Sequence, residues 1–476
     1  MNLTMRMAAE EWRYMARNRL TVAGLLILAL LTLVASLTVF EHQRKTSAER
    51  ARYQAQANDA FAAQPDRHPH RVAHAGHFVF RPVSALAAFD PGIDAYTGQT
   101  VFLEAHRQNG VSFGDVSQSS LLLRFGQLTP AFVLQVLAPL LLIFVGHAAV
   151  AREQQHGTLR VLLAQGVSSR QIILGKLLAL CSIAALALLP TVLALGWLAY
   201  FQQASWLLAA WLVLGYGIWL LIWSITVVLV SAVVARGRDA LLSLLALWVV
   251  LAILLPRGVA DVANAVVALP SKFETDIAVV RDYLALGDAH NPDDPHFSAF
   301  RQQLLTKYGV AKVEDLPVNY KGLLSMEGER ASSELFNRYA AKTFNQQQAQ
   351  LTLVDRFAWL SPTLALRRLS MAASGTDLLN FHSFLEQAEH YRYNLVQRLN
   401  QLQAQTLSYK DDTNPNKENR IEHSHWQQFP TFEYQAESVS TGLQRSLPSL
   451  GVLSAWLLIL VTAVGAASKR LGSGVK

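Results

Sequence analysis

The chain has 476 residues, 52% of them hydrophobic and only 16% charged. Soluble domains carry about a quarter charged residues, so this composition excludes an ordinary soluble globular protein. The net charge of +7 comes with one cysteine, Cys181, which excludes an intrachain disulfide framework.

Residues 1–19 contain EEWRYMARNR. Trp12 and Tyr14 beside Arg13 and Arg17 suit a cytoplasmic helix lying on the membrane interface, or a helical extension of the span that follows. Residues 20–40 contain no Asp, Glu, Lys or Arg. At about 1.5 Å per residue they cover about 31 Å, one hydrocarbon core. The run is too long for a signal peptide and no small-residue cleavage site follows it, so it reads as a retained anchor. Further spans are predicted at 128–150, 171–200, 204–235, 239–256 and 447–467. The expected fold is mainly α: a polytopic membrane protein with six transmembrane helices. Inserts at 41–127 and 257–446 build a mostly helical extracytoplasmic domain with some β structure.

Six spans put both termini on one side. That side carries Arg6, Arg13, Arg17, Arg19, Arg152, Arg160, Arg170, Arg236, Arg238, Lys469, Arg470 and Lys476 against Glu10, Glu11, Glu153 and Asp239. With Lys176 set aside at a helix end, the remainder of the chain holds 28 Lys/Arg against 30 Asp/Glu. The positive-inside rule makes the basic side cytoplasmic, including the 468–476 tail. These charges sit at membrane edges with no binding module around them, so no nucleic-acid partner is expected.

In the first insert, 45–63 reads as a helix rising from the membrane. His68, His70, His74 and His77 follow within ten residues. Helix after Pro69 would put His70, His74 and His77 on one face, where imidazoles could hold Zn²⁺ or Cu²⁺. Pro69 and Gly76 speak against a stable helix there, and the competing reading is a polar loop with ordinary histidine hydrogen bonds. Phe89-Asp90-Pro91-Gly92 and Thr97-Gly98 are turn signals. Residues 101–109 fit a strand or a helix start, with Glu104 and His106 a thin acid/base pair.

Between spans two and three lies REQQHGTLRVLLAQGVSSRQIILGK, beginning at Arg152. Gly157 and Thr158 should break the helix and Thr158 cap the next piece. Leu159, Val161, Leu162 and Leu163 supply an apolar face, Gly166 closes it, and Ser168 or Ser169 caps span three. The product is a short surface helix over 151–170 that could press into a groove on a soluble partner, or be a plain interfacial loop helix. Pro190, Gly215 and Gly217 mark kinks or close packing in spans three and four. Trp211, Trp219 and Trp223 suit helix packing, and Trp206 an outer aromatic belt. In the second insert, helices are expected at 297–308, 328–355 and 378–409. Residues 357–373, with Arg367 and Arg368 inside, fit either an amphipathic element on the outer membrane surface or a core helix of the external domain. His423 and His425 are a second, weaker metal hint.

At Glu153, Gly157-Thr158-Leu159, Leu162-Leu163, Gly166-Val167-Ser168, Arg170 and Gly175-Lys176 the sequence resembles permease subunits of ABC transporters of the type-2 exporter family. The phrases HPHRVAH, FDPGIDAYTG, FLEAHRQN and SPTLALRRLSMAASGTD resemble a subgroup with large external inserts. The resemblance implies a bacterial inner-membrane protein with its large domain in the periplasm. It implies a separate ATPase subunit in two copies, an identical or paralogous second permease subunit, contact with lipid, and a periplasmic partner. The coupling residues it implies are Arg152, Glu153, Gly157, Thr158, Leu159, Arg160, Leu162 and Leu163. The sequence contains no GxxxxGK[ST], so the chain is not expected to be an enzyme by itself or to bind a cofactor, with ATP and Mg²⁺ on the partner. The alternative is an extracytoplasmic metal-handling protein using His68, His70, His74 and His77 for Zn²⁺ or Cu²⁺.

Overall fold

Among the described residues, six helices are long and apolar enough to cross a bilayer: Arg19–Ala62, Pro130–Gln155, Ser169–Phe201, Trp206–Val233, Gly237–Val266 and Val439–Gly472. The molecule is a mainly α, polytopic membrane protein with little strand. The computed structural model describes residues 2–94, 96–111, 128–289, 291 and 293–473. Expectations for 112–127 of the first insert, and for Ala95 and Lys476, fall outside them.

The N-terminal residues form a separate helix, Leu3–Arg17, rather than an extension of span one. Asn18 is extended and its side chain caps span one by accepting from the Leu20 amide. The helix of span one does not break at Glu41 but joins the helix expected at 45–63. It continues to Ala62 as one helix because the residues beyond are rich in Ala, Gln and Arg, all good helix formers. Span five similarly runs through Pro256 to Val266. A wide π turn at Val249–Leu254 precedes the proline and accommodates its missing N–H.

Span two holds a second π turn, Val133–Leu137, just before Pro139. Carbonyls at such irregularities need partners within the protein, since lipid offers none. Here Trp219 Nε1 donates to the Leu134 carbonyl (3.2 Å) and Trp248 Nε1 to that of Val136 (3.1 Å). The Leu251 carbonyl of span five accepts from the hydroxyls of Ser361 (2.7 Å) and Thr363 (2.9 Å). Trp219 of span four thus combines packing with hydrogen bonding, Trp223 beside it is buried with no partner for its Nε1 among the described residues, and Trp206 is exposed.

The second insert carries Ser298–Tyr308, Tyr320–Phe357 and Leu378–Thr406. The 320–357 helix starts eight residues before its expected beginning at 328, because the Asn319 side chain caps it. Gly322 brings it against the 378–406 helix; a Cβ there would lie 2.5 Å from the Ala404 amide nitrogen. Pro362–Ser374 is neither a surface element nor a core helix of the external domain: it is buried against spans four and six, where Leu364, Leu366 and Leu369 join the core of the bundle. Leu369 fills the space at Gly215, where a Cβ would come within 2.8 Å. The first insert adds an antiparallel pair, β1 (His77–Phe80) and β2 (Thr100–Leu103), with His77 opposite Leu103. Residues 101–109 are therefore strand at their start.

Candidate functional site

Among the groups of charged residues that the described part of the fold buries, two bear on function. The first lies at the end of the bundle that holds the N-terminal helix. Gly157 (φ 74°) and Gly166 (φ 83°) both adopt the left-handed conformation that glycine tolerates best, and they bracket the short helix Thr158–Ala164. Thr158 does not cap it; its hydroxyl turns to the Glu153 carboxylate. Ser168 caps span three in a reciprocal box with Gln171. Leu159 is buried with Val167 and Ile172, and Leu162 and Leu163 pack against them together with Met7 and Leu471. Arg160 faces outward, and Val161, expected on the apolar face, does too, because it lies on the side of the helix opposite Leu159.

Behind this helix, Lys176 Nζ contacts Glu11 and lies 2.9 Å from Glu153 Oε1. Arg152 Nη2 is 3.2 Å from Glu11 Oε2, and its guanidinium lies 3.9 Å from the Tyr14 ring centroid. Lys176 and Glu11 are 3% and 4% exposed at their side chains. The cluster ties the N-terminal helix, the end of span two and the start of span three together. Gly175 permits the approach, since a Cβ there would meet Met7 Cβ at 2.5 Å. Sequence reasoning counted Glu11 only as a charge and set Lys176 aside. The available signal was a lysine at the head of an otherwise apolar helix.

The second group lies in the first insert. Contrary to expectation, Pro69–Ala75 is a helix. Pro69 occupies its first turn, where a fixed φ and a missing N–H cost nothing, and His68 caps it by accepting from the His70 amide (3.1 Å). Gly76 (φ 76°) ends it. His70 and His74 therefore share a face, with their Nε2 atoms 3.1 Å apart.

The other two predicted ligands go elsewhere. His68 Nε2 lies 2.9 Å from Asp412 Oδ1. Burial favours the neutral Asp412 carboxyl, but hydrogen bonds from His68, Gln403 and Asn319 outweigh it and hold it down to about 2. His77 falls beyond Gly76 on β1, is 3% exposed, and has no hydrogen-bond partner on either ring nitrogen among the described residues. Burial pushes its imidazole down to about 4.

The third member of the cluster is His106. Its ring centroid is 5.5 Å from that of His70 and 5.2 Å from that of His74. One nitrogen from each of the three histidines lies within 4.8 Å of the others. His106 Nδ1 is 3.1 Å from Glu329 Oε2, which also accepts from the His106 amide (3.0 Å). Glu329 Oε1 accepts from Arg392 Nη1 (2.6 Å) and Ser333 Oγ (3.2 Å). Arg392 grips Glu389 as well, with two contacts of 2.8 Å. Burial would raise the Glu329 carboxyl, but the His106 hydrogen bond and the Arg392 charge hold it down at about 2.

Glu104 does not pair with His106; its Oε1 accepts from Asn109 (3.0 Å). His423 pairs with Asp66 (2.7 Å), and no metal-like cluster forms around His423 and His425 among the described residues. No local spacing links His106 and Glu329 to the histidine helix, which is why the sequence did not assemble them.

This arrangement defines a membrane protein whose helical insert domain carries a buried ion cluster facing three histidines. Residues 272–435 match a family described as a domain of unknown function (DUF3526). The matched segment lies between spans five and six and includes Glu329, Glu389 and Arg392, but none of the three histidines. No curated protein matches the sequence.

Proposed function

We propose that this chain is the permease subunit of an ATP-driven exporter of the ABC type-2 class, moved by a separate ATPase that docks on residues 152–164. The carrying observation is the 158–164 helix. It turns Arg160 and Val161 outward, while its apolar face and the neighbouring Glu11–Arg152–Glu153–Lys176 cluster bind it to the N-terminal helix and span three. A push on its outer face would reach three helices through buried contacts. In this reading the basic end is cytoplasmic in a bacterial inner membrane, and the insert domain stands in the periplasm. ATP and Mg²⁺ belong to two ATPase copies, and an identical or paralogous permease pairs with this one. The most apolar stretches of spans one and six are 17% buried, against 67% for span two, which leaves surface for lipid and for that pairing.

The test is co-expression with any ATPase subunit encoded in the neighbouring genes, followed by solubilisation in a mild detergent. The ATPase should co-purify with the wild-type chain and be lost with Arg160→Glu combined with Val161→Glu. An ATPase that never co-purifies, or that binds the double variant equally, would remove the reading.

A further inference from the structure

We propose that His70, His74 and His106 form a binding site for a borderline divalent transition-metal ion, Zn²⁺ or Cu²⁺. This concerns insert residues alone and holds or fails independently of the permease reading. Imidazole is the ligand such ions share, and the set contains no thiolate or hard-oxygen donor that would favour another class. The geometry fits. Zn–N bonds of about 2.0–2.1 Å in a tetrahedron separate the ligand nitrogens by about 3.3 Å. The Nε2 atoms of His70 and His74 are already 3.1 Å apart on consecutive turns of one helix. His106 comes from a different element, so the ion would join the histidine helix to the end of the β1–β2 pair.

The support behind His106 has the form that metal sites use. A coordinating histidine commonly gives its second ring nitrogen to a carboxylate, which fixes the ring and raises its basicity. Here Nδ1 faces Glu329, so Nε2 is the coordinating atom. Glu329 is itself fixed by Arg392 and Ser333 in a fully buried setting. The cluster of Glu329, Glu389 and Arg392 carries two carboxylates against one guanidinium, a balance that a cation on the histidine side would complete. His106 also holds a left-handed backbone (φ 61°), a conformation non-glycine residues adopt at a cost. It is maintained by the Glu329 carboxylate accepting from both the amide and the ring of this residue. His70 is half-buried and His74 exposed, so the ion has a route in from solvent. Three protein ligands leave a fourth position for water or an incoming ligand, the pattern of an exchangeable or reactive site rather than a closed structural one.

The full-length chain, carrying no polyhistidine tag and stripped with chelator, would be titrated in detergent with Zn²⁺ and with Cu²⁺ separately, against a chromogenic competitor. Bound metal would then be counted after desalting. A single equivalent of one ion or both is expected, the two arms identifying which. His74→Ala removes an exposed side chain and should keep the wild-type melting temperature in metal-free buffer while weakening affinity by tenfold or more. Glu329→Gln should weaken it by about 10–100-fold through loss of orientation, with stoichiometry unchanged. His390→Ala, at an exposed histidine on another helix, should leave it unaltered. Failure of the wild-type chain to retain either ion, or equal affinity in His74→Ala and His390→Ala, would overturn the site.

Discussion

The two buried ion clusters differ in charge balance and in what they face. At the foot of the bundle, Glu11 and Glu153 meet Arg152 and Lys176, so charges cancel within the set. In the insert domain, Glu329 and Glu389 share the single guanidinium of Arg392, so the set holds one carboxylate more than it has cations, and Glu329 faces His106. A balanced cluster can serve as a closed clasp between helices. An unbalanced one, beside three imidazoles with access to solvent, is built to take a cation. Similar residue types thus point to a mechanical joint in one place and a ligand site in the other.

The hardest test of the clasp is Lys176→Met. It leaves Glu11 buried without its closest cation, and breaking a buried pair costs about 3–5 kcal/mol. Thermal unfolding in detergent should show the loss, and adding Glu11→Gln should restore part of it. A neutral single variant would mean that the cluster is solvated and not a clasp.

His77 sharpens the contrast, as a buried imidazole with no counter-charge. Unfolded, it takes a proton near pH 6.5; folded, burial delays this to about 4. Its contribution is complete above pH 6.5 and is lost as the pH falls through that window. The loss amounts to at most about 3 kcal/mol. His77→Phe should flatten the fall in stability between pH 6.5 and 4 relative to wild type, as followed by unfolding at stepped pH. Identical pH profiles would show that His77 is hydrated.

On the insert side, Zn²⁺ or Cu²⁺ at about 100 times its dissociation constant should stabilise the wild-type chain by about 2.7 kcal/mol. At the same metal concentration the gain should fall to about 1.4 kcal/mol or less in His74→Ala, as read by the shift in melting temperature. The smallest stability effect belongs to Arg160→Glu, an exposed change expected to cost under about 0.5 kcal/mol. It should nonetheless weaken ATPase association in pull-downs, separating an exposed docking face from the buried clasp behind it.

The legible parts of this fold were those written in local pattern. Apolar runs gave the six spans, and Gly157, Gly166 and Ser168 gave the limits of the short surface helix. Span ends were less legible because charge was read as a stop. Helix propensity carries span one past Glu41, and a π turn carries span five past Pro256. The histidine cluster was half legible. His70 and His74 follow from helical spacing once Pro69 is recognised as a first-turn residue rather than a breaker. His106 meets Glu329 across 223 residues of chain and Glu329 meets Arg392 across 63, tertiary contacts that no spacing records. The same holds for Glu11 with Lys176, 165 positions apart.

The account requires the two clusters to lie on opposite faces of a membrane, with the short helix inside. The direct measurement is labelling by a membrane-impermeant maleimide in a Cys181→Ala background, with single cysteines at Arg160 and at the exposed Asn416. Asn416→Cys should react in cells whose inner membrane is intact, and Arg160→Cys only after that membrane is permeabilised. Reaction of Arg160→Cys with the inner membrane intact would invert the topology and contradict the proposed coupling to a cytoplasmic motor.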